Sequence, residues 1–418
     1  MKAIALSIFS FLLLGLATGP SAMAAVDRIN VTSVPYNAVP DDGIDDTAAI
    51  NAAISAGKSI YFPAGTYDFT GQMVLPANSS YRLYGEGPGV STIRFTGPSA
   101  GINAPNMGLN TLNVDNLTLW AKTMNCGTAI SASFNEFGAN TKFRTATIVN
   151  VQITGSERSG GSGGYWTNGI YLYRAQNSVI DKVHIWGNIR PAAGSEADAS
   201  LTGIVWESSN TYATTGLQLS DLEITFVNTA LRTNGWVEGL YLNRFEFVQC
   251  GQHGVPAVDL NSFDSVNRKP TFHLVNGHVD LIQNGIRLTN LRGIRISKVL
   301  LLHNGGAERN GSMVIFNNCF DAMVSQCTFL GGTHDAVFNV PLTDETGILL
   351  DNADSVQVTG NWFAHMTTPT GAAIAIQPTS SVVRITNNIF TTMFGGGVNH
   401  RYDDQNPDPN DPYFRGDN

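Results

Sequence analysis

Short segments in which apolar and polar residues alternate recur along most of the chain. An eight-residue window of this kind occurs ten times, at spacings of 22 to 39 residues. The windows read LNVDNLTL from 112, ATIVNVQI from 146, SVIDKVHI from 178, LQLSDLEI from 217, LYLNRFEF from 240, FHLVNGHV from 272, IRISKVLL from 294, AMVSQCTF from 322, VQVTGNWF from 356 and VRITNNIF from 383. Successive side chains of a strand point to opposite faces, so each window predicts two short strands around a corner.

The corner residue tolerates a positive φ in six of the ten windows. These six residues are Asn116, Asn150, Asp221, Asn276, Gly360 and Asn387. A third strand, usually opened by glycine, precedes most windows: NGIYLY from 168, TGIVWE from 202, HGVPAV from 253, NGIRLTN from 284 and TGILLD from 346.

Three strands per repeat, at a period in the twenties and thirties, predict the stacked coils of a parallel β-helix. No coil of such a repeat buries its apolar side alone, so each must stack on its neighbours. A β-propeller is the alternative for repeats of this kind, but it favours a steadier period of about forty residues.

The segment DDGIDDTAAINAAISAGKSIYFPAGTYDF, residues 41–69, carries four aspartates within six positions. Asp45 or Asp46 is suited to cap a helix with apolar positions three or four residues apart, and Gly57 is suited to end it in a left-handed conformation. The following residues predict a strand, a Pro-Ala-Gly turn and a second strand. We therefore interpret the aspartates as capping and turn-making residues, and the helix as a lid over the first coil.

With its continuation YRLYGEGPGVSTIRF, this segment resembles the N-terminal part of the pectate-lyase-3-like superfamily, over about residues 34–96. That group includes tailspike depolymerases, polygalacturonase relatives and other secreted polysaccharide-degrading enzymes. The resemblance implies an all-β chain that forms a single right-handed parallel β-helix, with about ten or more three-strand coils and an N-terminal capping helix. It further implies a polysaccharide substrate and, because related tailspikes form trimers, a homotrimer as one assembly.

The N-terminal residues predict export of the protein. Residues 1–24 combine Lys2, an apolar core and the small-residue pattern Ala22-Met23-Ala24, which is typical of a secretory signal. We expect a secreted or periplasmic protein with no transmembrane helix after cleavage. The β-helix domain is expected over 25–400, with its cap at about 34–96, and the Pro- and Asp-rich residues 401–418 are expected as a tail beyond the last coil.

The net charge bears on the classes of partner, and the cysteine content bears on disulfide bonds. The net charge of -9 argues against nucleic acid and against an anionic membrane. The four cysteines are too few for a disulfide scaffold and are expected mainly as buried core residues, with one bridged pair as the alternative. No cofactor is predicted. No metal site is predicted either, since DNADS at 351 is better explained as a turn than as a calcium loop.

The connections on either side of the glycine-led strand vary most in length, so stacked coils would place them as walls along a groove. The outward residues of those strands, and of their ends, are predicted as Tyr171, Tyr173, Val205, Glu207, Leu231, His253, Asp259, Arg287 and Thr289. Tyr171 and Tyr173, with Trp166 and Tyr212 in the walls, are the predicted substrate-binding residues, since aromatic rings stack on the apolar face of a sugar.

Glu207 and Asp259 are the first candidate catalytic pair, because a glycosidase needs two carboxyl groups at a fixed separation. They lie two coils apart, roughly 9 to 10 Å if they share a column, which is near the upper limit for an inverting pair. Arg287 in NGIRLTN and His253 in GQHGV resemble the NGxRIK and GHG elements of polygalacturonases. The resemblance implies that Arg287 binds the sugar and that His253 assists. The sequence departs from that family at three places. Where the family has an aspartate ahead of the glycine-led strand, this chain has Thr202, and where it has an Asp-Asp pair one coil on, this chain has Asn228-Thr229. The family's lysine after the arginine is Thr289 here, so we do not transfer the polygalacturonase mechanism to this chain.

A second face offers a competing pair. The repeated window places His184, Glu223, Glu246 and His278 at one outward position in four successive coils, with Tyr241, His273 and Arg295 in the next column. Glu223 and Glu246, about 5 Å apart, would raise one another's proton affinity and match a retaining glycosidase. The same ladder is compatible with a solvated face or a subunit contact.

Together these features predict a secreted polysaccharide depolymerase, with hydrolysis favoured over β-elimination. A lyase would need a base and a cation for a uronate carboxylate, which Arg287 with His253, or Tyr241 with His273 and Arg295, would supply. The remaining alternative is a β-helix that binds a glycan without cleaving it.

Overall fold

A computed structural model describes residues 28–135, 144–155, 163–188, 200–251, 254–281, 283–303, 311–331, 345–364, 366, 372–391 and 403–404. Within these residues there is one helix, α1 (Thr47–Ala56). The strands are β1 (Arg28–Asn30), β2 (Ser59–Tyr61), β3 (Gly65–Val74), β4 (Tyr81–Tyr84), β5 (Ser91–Ala104), β6 (Thr111–Ala121), β7 (Gly127–Ser133), β8 (Thr145–Gly155), β9 (Asn168–Tyr173), β10 (Ser178–Trp186), β11 (Thr202–Glu207), β12 (Thr214–Thr225), β13 (Thr229–Asn234), β14 (Val237–Cys250), β15 (Pro256–Asn261), β16 (Lys269–Leu281), β17 (Asn284–Thr289), β18 (Leu291–His303), β19 (Ser312–Asn317), β20 (Phe320–Ser325), β21 (Thr328–Leu330), β22 (Thr346–Asp351), β23 (Asp354–Thr359), β24 (Trp362–Ala364), β25 (Ile374–Ile376), β26 (Ser381–Thr386), β27 (Ile389–Thr391) and β28 (Asp403–Asp404).

All paired strands run parallel, and each pairs with the corresponding strand one coil away. The strands β7, β9, β11, β13, β15, β17, β19, β22 and β25 form one continuous ladder, which we call the groove sheet. The repeated windows form a second ladder through β6, β8, β10, β12, β14, β16 and β18, continued by β20 with β21, β23 with β24, and β26 with β27. This is the predicted parallel β-helix.

The corner within each window has a left-handed backbone. The six predicted corner residues all have positive φ, between 50° and 65°. The other four windows place Lys182, Arg244, Lys298 and Gln326 at the same position, with φ between 53° and 56°. The prediction of a corner is therefore confirmed in all ten windows, including four whose residue type does not favour it.

The corner divides the second ladder into two outward surfaces. We call the surface before the corner the Tyr241 face; its central column is Gln218, Tyr241, His273 and Arg295. We call the surface after the corner the Glu246 face; its central column is His184, Glu223, Glu246 and His278.

Helix α1 packs against β1 and β3 at the start of the β-helix. Its buried residues Ile50, Ala53 and Ile54 belong to the same core cluster as the strands that follow. The helix thus covers apolar surface that an uncapped first coil would expose.

The four aspartates before α1 bind the backbone, as expected for turn-making residues, although Asp46, the N-cap residue, makes no side-chain bond to the first turn of the helix. Each carboxylate accepts a backbone N–H bond at 2.8–3.1 Å: Asp41 from Thr66, Asp42 from Ile44, Asp45 from Thr47 and Asp46 from Val39. The prediction for Gly57 is wrong, because its φ of -161° is extended backbone. A glycine fits there because a Cβ would lie 2.3 Å from Cδ1 of Ile29.

All four cysteines are free and buried, as expected for core residues. Burial raises the pKa of the Cys250 and Cys319 thiols to about 12 and that of Cys327 to about 11. Burial also raises the pKa of Cys126. A thiol in such surroundings is almost entirely protonated at neutral pH, and the thiolate is the reactive form.

We therefore expect the native protein to be nearly inert to a thiol reagent such as Ellman's reagent at pH 8, with less than about one thiol per chain reacting in an hour. In denaturant without a reducing agent, all four thiols should react. Fewer than four under those conditions would reveal a disulfide and contradict the assignment.

The predicted signal at 1–24 and almost all of the predicted tail at 401–418 lie outside the described residues. Across the part of the chain that the structure describes, no helix is long and apolar enough to cross a membrane.

Candidate functional site

The groove sheet carries a column of side chains that are all polar except Val205, which is only 2% exposed. Register pairing aligns Tyr171, Val205, Arg232, Asp259 and Arg287 in five successive coils. The adjacent column, two residues further along each strand, contains Tyr173, Glu207 and Asn234. Coils stack about 4.8 Å apart, so these side chains form one connected surface.

Glu207 lies at the end of β11 and connects the two columns. Its Oε2 accepts a hydrogen bond of 2.9 Å from the Tyr171 hydroxyl, and its Oε1 lies 3.6 Å from Nη2 of Arg232. Burial, followed by the hydrogen bond to Glu207, raises the pKa of Tyr171. The tyrosine therefore remains a hydrogen-bond donor at neutral pH.

Asp259 and Arg287, one coil apart, form a two-pronged ion pair. Nε and Nη2 of Arg287 donate to the two oxygens of Asp259 at 2.9 and 2.8 Å. This hydrogen bonding raises the pKa of the arginine. The geometry fixes both side chains and balances the charge of the carboxylate.

One predicted outward residue is wrong, and the condition set on the first candidate pair is not met. Leu231 is fully buried, and its neighbour Arg232 takes the outward position instead. Glu207 and Asp259 do not share a column, because Asp259 aligns with Arg232 and Val205. Their backbones are therefore separated by two coils and also by two residues along the strand.

Arg232 is the residue that the sequence interpretation missed. Its strand, TALRTN, opens with Thr229-Ala230 where the preceding coil has Thr202-Gly203. Aligning the two strands on threonine, with alanine in place of glycine, would have placed Arg232 beside Val205.

The four predicted substrate-binding aromatics separate into two groups. Trp166 is only 2% exposed, donates its indole N–H to the carbonyl oxygen of Leu119, and packs edge-on against Phe95. Its prediction as a wall residue is wrong because the ring completes the core. Tyr171 and Tyr173 are partly exposed on the groove sheet, and Tyr212 is 45% exposed in the connection after β11.

Two further aromatic residues extend this margin of the groove sheet. Trp236 follows β13 and Phe263 follows β15, at the same place in the coil as the connection that holds Tyr212. Their ring centroids are 6.1 Å apart. Their position in the sequence could have identified them, since each is the second residue after the end of a groove strand.

The Glu246 face has the predicted ladder. Glu223 and Glu246 are register partners, and each lies near a histidine on its other side: His184 Nδ1 is 3.4 Å from Glu223, and His278 Nδ1 is 3.5 Å from Glu246. Glu246 is 56% exposed. The two acids thus lie on an open surface rather than in a walled cleft.

The residues proposed for a lyase on the Tyr241 face also lie next to one another. The rings of Tyr241 and His273 meet edge to face at 5.3 Å, and Arg295 is the register partner of His273. Burial, followed by the charge of Arg295, lowers the pKa of His273. His253, the remaining candidate, lies outside the described residues. Among the residues that are described, no group of three or more His, Cys, Asp or Glu side chains is arranged to hold a metal ion.

Several solved structures are similar to this chain at low sequence identity. Tailspike protein 2 from Escherichia coli O157:H7 bacteriophage CAB120 is 14% identical with a TM-score of 0.50, over 81% of this chain and 43% of the tailspike. The Streptococcus pneumoniae surface protein and adhesin PfbA is 14% identical with a TM-score of 0.44, over 88% of this chain and 99% of PfbA. The A-module of the mannuronan C-5 epimerase AlgE4 of Azotobacter vinelandii is 14% identical with a TM-score of 0.43, over 89% of this chain and 98% of the module. The likeness to the tailspike shows the fold alone, and this chain spans less than half of the tailspike. No curated protein sequence matches the chain.

The sequence of this chain also matches a model of a protein family. The model described as rhamnogalacturonase A/epimerase, pectate lyase-like, matches residues 28–241. This segment is more than half of the chain; it includes Glu207 and Arg232 and ends before Asp259 and Arg287. The chain therefore belongs to the rhamnogalacturonase A/epimerase, pectate lyase-like family of right-handed parallel β-helix proteins.

Proposed function

We propose that this protein is an exported polysaccharide depolymerase that hydrolyses a glycan lying along the groove sheet. Glu207 would act as the general acid, and Asp259, held by Arg287, as the ionised carboxylate. Tyr171 would orient Glu207, while Tyr173 and Tyr212 would stack on sugar rings.

One observation carries the proposal: two carboxylates on the same outward surface have different partners. Asp259 accepts two charge-assisted bonds from Arg287, whereas Glu207 accepts a hydrogen bond from a neutral tyrosine and lies 3.6 Å from Arg232. Paired carboxyl groups in unlike environments are what acid and base roles require. The wide backbone separation favours the inverting geometry, which leaves room for a water molecule.

β-Elimination is the second candidate, and it is favoured by the two guanidinium groups, Arg232 and Arg287, in one column of the groove sheet. Such cations would neutralise a uronate carboxylate. The raised pKa of Tyr171 weighs against that residue as the base, because the hydroxyl stays protonated at neutral pH. Hydrolysis is therefore our first choice.

The reaction can be identified by incubating the purified protein with a panel of uronic-acid and neutral polysaccharides. Reducing ends and absorbance near 235 nm are measured together. We expect reducing ends without absorbance, since hydrolysis creates no double bond. Both signals together would mean β-elimination. Neither signal, with tight binding of one glycan, would overturn catalysis and favour a binding protein.

Export and trimer formation also remain proposals. The apolar N-terminal pattern supports export, and light scattering of the purified protein would test for a homotrimer. The assignment of the groove sheet does not depend on either.

A further inference from the structure

A cavity of about 350 Å³ opens outside the groove sheet, beyond the loop that follows β15. The starts of β14, β16, β18 and β20 meet there. The lining residues are Glu238, Val266, Asn267, Arg268, Lys269, Pro270, Arg292 and Phe320. This places the cavity at the edge of the Tyr241 face, where Glu238 and Lys269 contact Trp236 on the margin of the groove sheet.

Positive charge at this edge is not balanced in the way it is elsewhere. Arg82, Arg94, Arg244 and Arg287 each make a two-pronged pair with an aspartate. By contrast, no carboxylate among the described residues pairs with Arg268, Arg292 or Arg295. In a chain with 33 acidic and 24 basic residues, three neighbouring unpaired arginines stand out.

Arg268 and Arg292 are available for a ligand in complementary ways. Arg268 is anchored, since its Nε and Nη2 donate to Asn318 at 2.6–3.2 Å, while its Nη1 bonds to none of the described residues. Arg292 is exposed and makes no hydrogen bond or ion pair within the described part of the chain. One guanidinium is thus held in place and the other is free to close on an anion.

The other charged groups of the cavity are already engaged. Lys269 Nζ lies 3.3 Å from Asp264 and 4.0 Å from the centroid of the Trp236 ring. Backbone N–H bonds, that of Asn267 first, hold the pKa of Asp264 at about 2, so this partner is ionised. Glu238 accepts the indole N–H of Trp236 at 2.6 Å. The indole is neutral and leaves the negative charge of Glu238 in place, so the two arginines give the cavity one net positive charge.

Exposed rings lie beside these cations. Phe320 is the register partner of Arg292 and is 36% exposed, and its ring centroid is 6.0 Å from the guanidinium carbon of Arg268. Tyr241, in the adjacent column, is 43% exposed. An apolar ring next to guanidinium donors matches a sugar that carries an acidic group, because such a sugar presents both an apolar face and an anion.

We propose that this cavity is a second carbohydrate site, separate from the groove sheet, that binds an acidic sugar. The anionic group, a carboxylate or a sulfate ester, is bound by Arg268 and Arg292, and the sugar ring stacks on Phe320. Such a site would hold a charged polymer on the β-helix whether or not the groove sheet is catalytic.

The test is isothermal titration of the full chain with three probes: a hexasaccharide of galacturonic acid, the same hexasaccharide after carboxyl reduction, and a heparin-derived sulfated hexasaccharide. The titrations use the Glu207→Gln background, so that a probe is not consumed. We expect one charged probe to bind and the reduced one not to. Arg292→Ala should lower the affinity about tenfold or more, as expected for the loss of a charge-assisted hydrogen bond.

The matched control is Arg384→Ala. Arg384 is exposed in the same column as Arg295, three coils away from it, so this variant loses the same charge without touching the cavity. Its affinity should stay within about twofold of the parent, as expected for a distant surface charge. Equal losses of affinity in both variants would mean that the probe is attracted by the overall surface charge, and this would overturn the proposed site. The failure of both charged probes to bind would overturn it as well.

The two charged probes separate carboxylate from sulfate recognition, and loss of either binding event in Arg292→Ala supports the site. In an otherwise native chain, Arg292→Ala should leave the turnover of a short oligosaccharide unchanged. Failure of the catalytic proposal would instead show as Glu207→Gln retaining activity, so the two failures are distinguishable.

Discussion

On the polysaccharide that the proposed hydrolysis would cleave, replacing Glu207 with glutamine or Asp259 with asparagine should lower kcat by about 10²- to 10⁴-fold, the range expected for loss of a general acid or base. Glu207 is partly shielded on the groove sheet and bonded to Tyr171. Asp259 is fixed by two bonds from Arg287. Both substitutions keep the side-chain shape and remove the charge. Initial rates of reducing-end release at saturating substrate measure the effect.

The matched controls are Glu223→Gln and Glu246→Gln, which make the same chemical change on the Glu246 face. Both acids are at least 36% exposed and lie in a comparable ladder. We expect their rates to stay within about twofold of the parent, since both side chains are more exposed than that of Glu207, which is 19% exposed. If Glu246→Gln loses activity and Glu207→Gln does not, the active site lies on the Glu246 face instead.

A second readout separates the two roles in the groove sheet. A general acid protonates the leaving group, so its loss matters little when the leaving group needs no proton. An aryl glycoside of the sugar found in the panel should therefore restore most of the rate of Glu207→Gln and little of the rate of Asp259→Asn. Equal behaviour of the two variants on both substrates would contradict the assignment of separate roles.

The coil architecture could be predicted from the sequence because it rests on a repeated local pattern. Each window carries its own alternation and corner, so ten weak signals support one another. In four windows the position of the corner predicted the backbone conformation better than the residue type did. These corners are Lys182, Arg244, Lys298 and Gln326. Their φ values are positive, although none of these residue types favours the left-handed region, because the stacked coils force the same bend in every copy.

The alignment between coils of the groove sheet was harder to predict. In TGIVWE and NGIRLTN a glycine opens the strand, but in the two coils between Gly203 and Gly285 the register places Ala230 and Ala257 at that position. Gly254 lies before β15 and misled the alignment. With no glycine to mark the register of β13, Leu231 was predicted as outward in place of Arg232, and the columns of Glu207 and Asp259 were left undecided.

Connections carry no periodic pattern, and this accounts for the error at Trp166. The residues before β9, GGYWT, give no sign of which side chain turns inward. Burial of an aromatic ring in a connection depends on the coils beneath it. Here the space beside Phe95 is filled by Trp166, and the backbone oxygen of Leu119 accepts its indole proton.

Trp166→Ala should lower the free energy of unfolding by about 3–5 kcal/mol, the usual cost of truncating a buried large aromatic residue. The change removes the ring that packs on Phe95 and leaves the carbonyl of Leu119 without its indole donor. Chemical denaturation followed by circular dichroism measures the effect as a lower midpoint. The folded fraction should keep its KM, because the side chain does not reach the surface.

Tyr212→Ala is the matched control, since it truncates an aromatic residue that the sequence placed in the same walls and that is 45% exposed. Its unfolding free energy should change by less than about 0.5 kcal/mol, because exposed side chains contribute little to stability. If the ring stacks on the glycan, KM should rise by about tenfold, within the range of one lost aromatic contact. The opposite pattern, a stable Trp166→Ala with a raised KM, would return Trp166 to the groove wall. Opposite responses of the two variants would show that burial, rather than residue type, decides which aromatic residues of a connection meet the substrate.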